Sequence, residues 1–221
     1  MYNLGLKNYN QDKECKRLPA GPGGVVVKRG MTLRQYRAVD LSLFALMLMA
    51  FETIAVSAGT RWFPGEPYMV SVTAAVTAIV MVRWGAWAGL HALLGGLITC
   101  LVSRAEGSQY LIYAIGNLLS LTALPLLRRP GWERIRREPL WTLGYGAATL
   151  VLMQTGRALL ALLLGIPWQT ALGFYTTDIV TLLFTLVILW IARRLDGVLE
   201  EQTHYLLRLQ AEREAQMGGS Q

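Results

Sequence analysis

The sequence predicts an all-α integral membrane protein with six transmembrane helices, both termini in the cytoplasm and a cytoplasmic amphipathic helix at the carboxyl end. Three observations lead to this fold class. Of the 221 residues, 53% are hydrophobic and only 16% are charged, which is unlike a soluble globular protein. The apolar residues form long runs, and a helix needs about 20 of them to cross a bilayer. Arginine and lysine lie almost wholly between or outside these runs.

The chain divides into three parts. Residues 1–30 have no apolar run of signal-peptide length and predict a flexible cytoplasmic tail. Residues 31–194 form the membrane domain, and residues 195–221 form a cytoplasmic helix and tail. The predicted spans are 39–59, 68–82, 84–103, 109–127, 140–164 and 171–192. Because the second is short and runs into the third with almost no loop, a re-entrant hairpin over 68–103, with four crossings, is the alternative.

The cations between the spans predict the orientation. Positively charged residues favour cytoplasmic loops. Along this chain, segments rich in arginine and lysine alternate with segments that have few of them. The side that carries the amino terminus has Lys28, Arg29, Arg34, Arg37, Arg83, Arg128, Arg129, Arg134, Arg136, Arg137, Arg193 and Arg194. The opposite side has only Arg61 and Arg104. We therefore expect a multi-pass protein of the cell membrane with both termini cytoplasmic.

Polar side chains recur at one depth in four of the predicted spans. At about 1.5 Å per helical residue, they fall within roughly one helical turn of a common level in the outer half of the membrane. These residues are Glu52, Asn117, Arg157 and Asp178. Tyr113, Gln154 and Thr181 share their helical faces. A charge inside the membrane costs about 3 kcal/mol on insertion scales, so these faces are expected to point away from lipid.

Two interpretations of this layer stay open. Arg157 could pair with Glu52 or Asp178 simply to lock helices together. Alternatively, the layer lines an outward-facing cavity that binds a small solute, and all seven residues are then candidate substrate-binding residues. Two acids against one arginine favour a cationic or donor-rich ligand.

Other classes of function have little support in the sequence. No nucleophile–base pair, phosphate loop or metal cluster is recognisable, so we expect neither an enzyme nor a bound metal or cofactor. The net charge of +7 reflects topology, and no nucleic-acid partner is expected. Cys15 and Cys100 lie far apart and suggest no disulfide framework. His91 lies in the other leaflet and predicts a hydrogen bond between helices.

Two rows of small residues are candidate partner interfaces. Small side chains let membrane helices approach closely. The rows comprise Ala38, Ser42 and Ala45 on the first span and Gly85 and Gly89 on the third. For the row on the third span, the alternative to a partner interface is packing against other helices of the same chain. The segment ARRLDGVLEEQTHYLLRLQAEREAQ and the basic loop LLRRPGWERIRREPL offer further surfaces to lipid headgroups or to a cytoplasmic partner.

From residue 31 to about 195, the chain resembles the substrate-binding S component of energy-coupling factor (ECF) transporters. The resemblance lies in the six spans, the cytoplasmic termini, the small residues of the first span and the outer polar layer. It implies uptake of a vitamin or similar micronutrient, with a membrane coupling subunit and ATPases supplied in trans. Family members carry Ala-x-x-x-Ala on the first helix, where this chain has Ala38 and Ser42.

The main rival is a non-transporting membrane subunit, either a scaffold similar to the cell-shape protein MreD or a signalling module. In that case the polar layer would be structural. The cytoplasmic helix and the basic loop would carry the function instead.

Overall fold

The structure, a computed structural model, describes residues 26–28, 31–62 and 70–218. The chain separates into two units, Met1–Arg37 and Ala38–Gln221. In the first, strands β1 (Val26–Lys28) and β2 (Met31–Thr32) pair in an antiparallel arrangement. Apart from 26–28, the predicted tail over 1–30 lies outside the described residues.

Helix α1 (Leu33–Trp62) starts with a reciprocal cap. The Thr32 backbone N–H donates to Gln35 Oε1 at 2.9 Å, and the Gln35 N–H donates to Thr32 Oγ1 at 3.3 Å. The buried positions form one narrow stripe: Leu48, Glu52, Val56 and Gly59. Large apolar side chains such as Leu46, Phe51 and Ile54 remain exposed. A helix that buries so little of an apolar surface presents most of it to lipid.

Beyond α1, the membrane domain is all helical in its described part. Its helices are α2 (Thr73–Trp84), α3 (Ala88–Ser103), α4 (Gly107–Leu126), the short α5 (Trp132–Arg137), α6 (Pro139–Leu163), α7 (Trp168–Thr177) and α8 (Ile179–Ala192). Helix α6 lies against α2, α4 and α8. An apolar core that includes Met81, Ala88, Tyr145 and Leu189 fills the space between these helices and α3. The all-α fold class is thus confirmed for this domain.

Within the described residues, five helical stretches are long and apolar enough to cross a membrane, whereas six spans were predicted. They are Leu33–Trp62, Thr73–Ser103, Gly107–Leu126, Pro139–Leu163 and Trp168–Ala192. The observed limits lie within a few residues of the predicted spans 109–127, 140–164 and 171–192. The first helix is longer than the predicted span 39–59 at both ends.

The second stretch, Thr73–Ser103, is bent into a hairpin. Gly85 has φ +61°, a left-handed conformation that interrupts the helix, and a 3-10 turn over Gly85–Trp87 follows. Thr73 packs against Gly95, although a straight helix would separate them by about 33 Å. Helix α2 has 12 residues and is about 18 Å long, too short to span alone. The predicted span 68–82 is therefore not a full crossing.

The chain continues beyond α8 as turns and then as α9 (Gln202–Gly218). The predicted helical segment over 195–221 is thus helical only from Gln202 onward. Gly197, at φ +71°, lies in the turns before it.

We predict that adding a side chain at Gly156 destabilises the protein. A methyl group there would overlap the Gly116 carbonyl and contact Leu119, because the α4 and α6 backbones touch at this point. Overpacking of this kind costs about 1–3 kcal/mol, so Gly156→Ala should lower the Tm of the purified protein by about 2–10 °C. Gly144→Ala, on the same helix with open space around it, is the matched control and should not lower the Tm. Equal Tm values for the two variants would contradict the close approach.

Candidate functional site

An ion pair lies at the centre of the buried polar layer. Arg157 Nη1 on α6 is 3.2 Å from Asp178 Oδ2, and both side chains are only 3% exposed. A guanidinium or carboxylate buried alone would carry a desolvation cost of several kcal/mol. The pairing therefore explains how a cation is accommodated inside an apolar helix bundle.

Two amides extend this ion pair into a network. Arg157 Nε donates to Asn117 Oδ1 at 2.8 Å, and Arg157 Nη1 donates to Gln154 Oε1 at 3.3 Å. Gln154 Nε2 in turn donates to Asp178 Oδ2, and Asn117 Nδ2 donates to the Ala92 carbonyl of α3 at 2.9 Å. The network thus connects α3, α4, α6 and the junction of α7 with α8.

Local irregularities place these side chains. Asn117 lies where α4 passes from π-helical geometry over Leu111–Ile115 to 3-10 geometry over Asn117–Ala123. Asp178 lies at the break between α7 and α8. Irregular turns of this kind occur frequently at functional sites. They turn side chains in directions that a regular helix would not allow.

An aromatic pair covers one side of the network. The Arg157 guanidinium carbon lies 4.6 Å from the centre of the Tyr113 ring, within cation–π range. Tyr113 meets Phe174 edge to face, with the ring centres 5.9 Å apart. Tyr113 therefore contacts Arg157 through its ring, and its predicted role in substrate binding stays a prediction.

Among the described residues, the hydrogen bonds of Glu52 go to groups outside this network, and Thr181 binds a backbone group close to one of them. Both bind backbone groups at the start of α2, the first turn of which lacks partners within the helix. The Val72 N–H donates to Glu52 Oε2 at 2.9 Å, and the Ser71 N–H donates to Thr181 Oγ1 at 3.2 Å. Their predicted role in substrate binding stays a prediction.

The network retains unused hydrogen-bonding capacity. Asp178 Oδ1 is buried and has no hydrogen-bond partner in the described part of the chain. Among the residues that the structure describes, Arg157 Nη2 has only the weak acceptor Met153 Sδ, at 3.8 Å. An acceptor oxygen and a guanidinium nitrogen on neighbouring groups are thus open to a ligand.

The two rows of small residues differ in exposure. Ala38 and Ser42 on α1 are exposed and Ala45 is half-buried, so this row is uncovered. Gly89 is buried, and a methyl group there would contact Leu118 and Leu121 of α4. This glycine packs within the chain, as the alternative interpretation expected, and Gly85 forms the turn between α2 and α3.

A second polar cluster, which the sequence analysis missed, lies at the other end of α2. Arg83 Nη2 is 2.7 Å from Asp40 Oδ1 on α1, and Trp84 Nε1 donates to Asp40 Oδ2 at 2.6 Å. Arg83 Nη1 also donates to the Gly197 carbonyl. The sequence did contain a signal for this cluster, since Asp40 is an acid at the start of an apolar span.

His91 lies near this end of α2. Its Nε2 is 3.1 Å from the Leu41 carbonyl, which is the hydrogen bond between helices that was expected for it.

Helix α9 is attached to the basic loop through Glu200. Glu200 is 2% exposed and lies 2.7 Å from Arg136 of α5 and 3.0 Å from Arg208 of α9. Gln202, an interruption in the apolar stripe, is fully buried and donates to the Gly197 and Glu200 carbonyls. The two surfaces that the sequence analysis treated separately are therefore in contact.

Comparison of the chain with known protein families, with curated proteins and with solved structures gave no match. The interpretation of function therefore depends on the chemistry of the residues.

We predict that Arg157 and Asp178 contribute to the free energy of unfolding as a coupled pair. Arg157→Met should destabilise the protein by about 3–5 kcal/mol, because it leaves a buried carboxylate unpaired. The double variant Arg157→Met/Asp178→Leu removes both charges and should regain most of that loss. Unfolding in lipid or detergent, followed by circular dichroism, measures both values. Additive losses would mean that the two groups act independently.

We further predict that Glu200 holds α9 in place. Glu200→Gln weakens the contacts with Arg136 and Arg208 and should speed tryptic cleavage within α9 by about fivefold or more. Glu201→Gln is the matched control, since Glu201 is 39% exposed and contacts only His204 among its ion-pair partners in the described chain. Equal cleavage rates would show that other contacts retain the helix.

Proposed function

We propose that this chain is a membrane-embedded solute-binding subunit similar to the S components of ECF-type uptake transporters. The observation that carries the proposal is the unused hydrogen-bonding capacity at Asp178 Oδ1 and Arg157 Nη2 in a buried layer. A layer that served only as a lock would be expected to satisfy its own polar groups, because a buried unpaired acceptor costs about 1–3 kcal/mol. A ligand that reaches both atoms removes this deficit.

The open atoms suggest the chemistry of the solute. Asp178 requires a donor and Arg157 an acceptor, so a ring amide or carboxamide would satisfy both. The ion pair is formally neutral, which favours a neutral solute over the cationic one suggested by the acid count. Tyr113 and Phe174 supply aromatic surface beside the guanidinium, which suits a flat ring such as many vitamins contain.

Solute access requires movement. Asn117, Gln154, Arg157 and Asp178 are each at most 3% exposed, so the layer is closed in this conformation. The Ser71 N–H, at the start of the short α2, donates to Thr181, three residues after Asp178, so we propose that α2 is one of the elements that move. By analogy with the family, a membrane coupling subunit and ATPases in trans would drive opening and release, with the exposed Ala38 and Ser42 on α1 as the contact.

The proposed orientation places both termini in the cytoplasm of a multi-pass cell-membrane protein. Arg83 contacts both Asp40, near the start of α1, and Gly197, after α8. These contacts support a common side for the two ends of the membrane domain, and the positive-inside rule favours the cytoplasm for that side.

A second candidate function is that of a scaffold or signalling subunit. The observation that favours it is the attachment of α9 to the basic loop through Glu200. Such an arrangement would suit a cytoplasmic surface that recruits a partner, and it would leave the polar layer with a structural role.

The proposal predicts that a small molecule is retained on purification. Native mass spectrometry of the protein from its membrane should show bound solute. Arg157→Ala and Asp178→Asn should each retain less than about a tenth of it, since a hydrogen bond to a charged group contributes about 1.5–3 kcal/mol. Thr155→Val is the control, since Thr155 is a half-buried residue of α6 whose hydroxyl contacts the Val151 carbonyl and Tyr175 rather than the Arg157 network.

Copurification distinguishes the two functions. A coupling subunit and two kinds of ATPase chain are expected with the solute-binding role. A protein that carries no solute, and that associates tightly with a different assembly through α9, would contradict the proposal and favour the scaffold.

A further inference from the structure

Glu52 is an acid without a cation. The residue is fully buried in α1. Its Oε2 accepts from the Val72 N–H at 2.9 Å, and its Oε1 lies 2.8 Å from Thr99 Oγ1 on α3. None of the ion pairs among the described residues includes it. The described surroundings therefore contribute two neutral groups.

The Thr99 hydroxyl has two short contacts with oxygen atoms but only one hydrogen to share between them. Thr99 Oγ1 lies 2.9 Å from the Gly95 carbonyl as well as 2.8 Å from Glu52 Oε1. A hydroxyl has one hydrogen, and a carbonyl oxygen can only accept. When Thr99 donates to Gly95, the hydrogen between Thr99 and Glu52 has to come from Glu52.

The alternative arrangement is unfavourable in two ways. If Thr99 donated to an ionised Glu52, Thr99 Oγ1 and the Gly95 oxygen would face each other at 2.9 Å without a hydrogen between them. The carboxylate would also be a buried charge with no counter-ion, which is strongly disfavoured in an apolar interior.

Neighbouring charges do not offset that burial. Asp178 is close enough to interact electrostatically with Glu52, but it is another acid and is already paired with Arg157. On α2, Arg83 is bound by Asp40 at the opposite end of the helix. On α3, the titratable groups are His91, which contacts the Leu41 carbonyl, and Cys100, which contacts the Gln109 carbonyl.

We propose that Glu52 is a proton-binding site of the membrane domain: in this conformation its carboxyl group is neutral and donates its proton to Thr99 Oγ1. The proton joins α1 to α3, while Oε2 binds the first turn of α2. When the proton leaves for solvent, Oε1 and Thr99 Oγ1 lose the hydrogen between them, unless the hydroxyl turns away from Gly95. Occupancy by one proton thus connects the position of α1 to the α2–α3 hairpin. The site stands on the contacts of Glu52 alone and does not rest on the proposed solute.

Infrared spectroscopy of the full-length protein in lipid tests the site. At neutral pH the wild type is expected to show the carbonyl stretch of a protonated carboxylic acid, with a shift in deuterated buffer. Glu52→Gln should abolish this band, and Asp178→Asn should leave it in place. A wild type without the band, or a band that survives Glu52→Gln, would overturn the proposal.

Thermal unfolding tests whether glutamine can take the place of a protonated Glu52. A glutamine can donate to Thr99 and accept from Val72, so Glu52→Gln should stay within about 2 °C of the wild-type Tm. Glu52→Ala leaves the Val72 N–H without its partner and should lower the Tm by about 5 °C or more. If Glu52→Gln were destabilised as much as Glu52→Ala, a neutral donor would not suffice and the proposal would be wrong.

Discussion

The burial of the Arg157 guanidinium is the constraint on which the rest of the membrane domain depends. A cation in an apolar bundle needs an anion and enough acceptors within reach, and these come from Asp178, Gln154 and Asn117. These three residues lie on different turns or helices, so the helices that carry them have to pack together around Arg157. The contact between Gly116 and Gly156 brings the α4 and α6 backbones close enough for that meeting. Packing and electrostatics therefore converge on the same part of the fold.

The short helix α2 imposes a second constraint. Its amino-terminal turn lies inside the bundle, where unpaired backbone N–H groups are costly, and Glu52, Ser71 and Thr181 accept from them. At its other end Arg83 binds Asp40 and the Gly197 carbonyl. Each end of α2 is thus held by a side chain from α1, together with Thr181 of α8 at the amino end and the Gly197 carbonyl at the other end. A change in either set of contacts would alter the position of the α2–α3 hairpin in the helix bundle.

The two polar regions suggest different tasks. The Arg157 network is held together by its own ion pair yet leaves Asp178 Oδ1 unpaired, which suits a site that binds a solute and then closes. The Asp40–Arg83 cluster and the Glu200 contacts connect the opposite end of the bundle to α9. The proposed solute-binding role, with release driven by a partner, would require connections of this kind between the two ends of the bundle.

The sequence by itself determined the all-α class and, to within a few residues, the limits of three of the six predicted spans, because hydrophobic length is a local property of the chain. It also predicted that Asn117, Gln154, Arg157 and Asp178 share one region, since depth can be counted along helices of known rise. Counting depth does not reveal which faces point at each other. Only the tertiary structure separated Glu52 from the network, paired Arg83 with Asp40 and shortened the second span, since each depends on how the chain bends at Gly85 and which helices then touch.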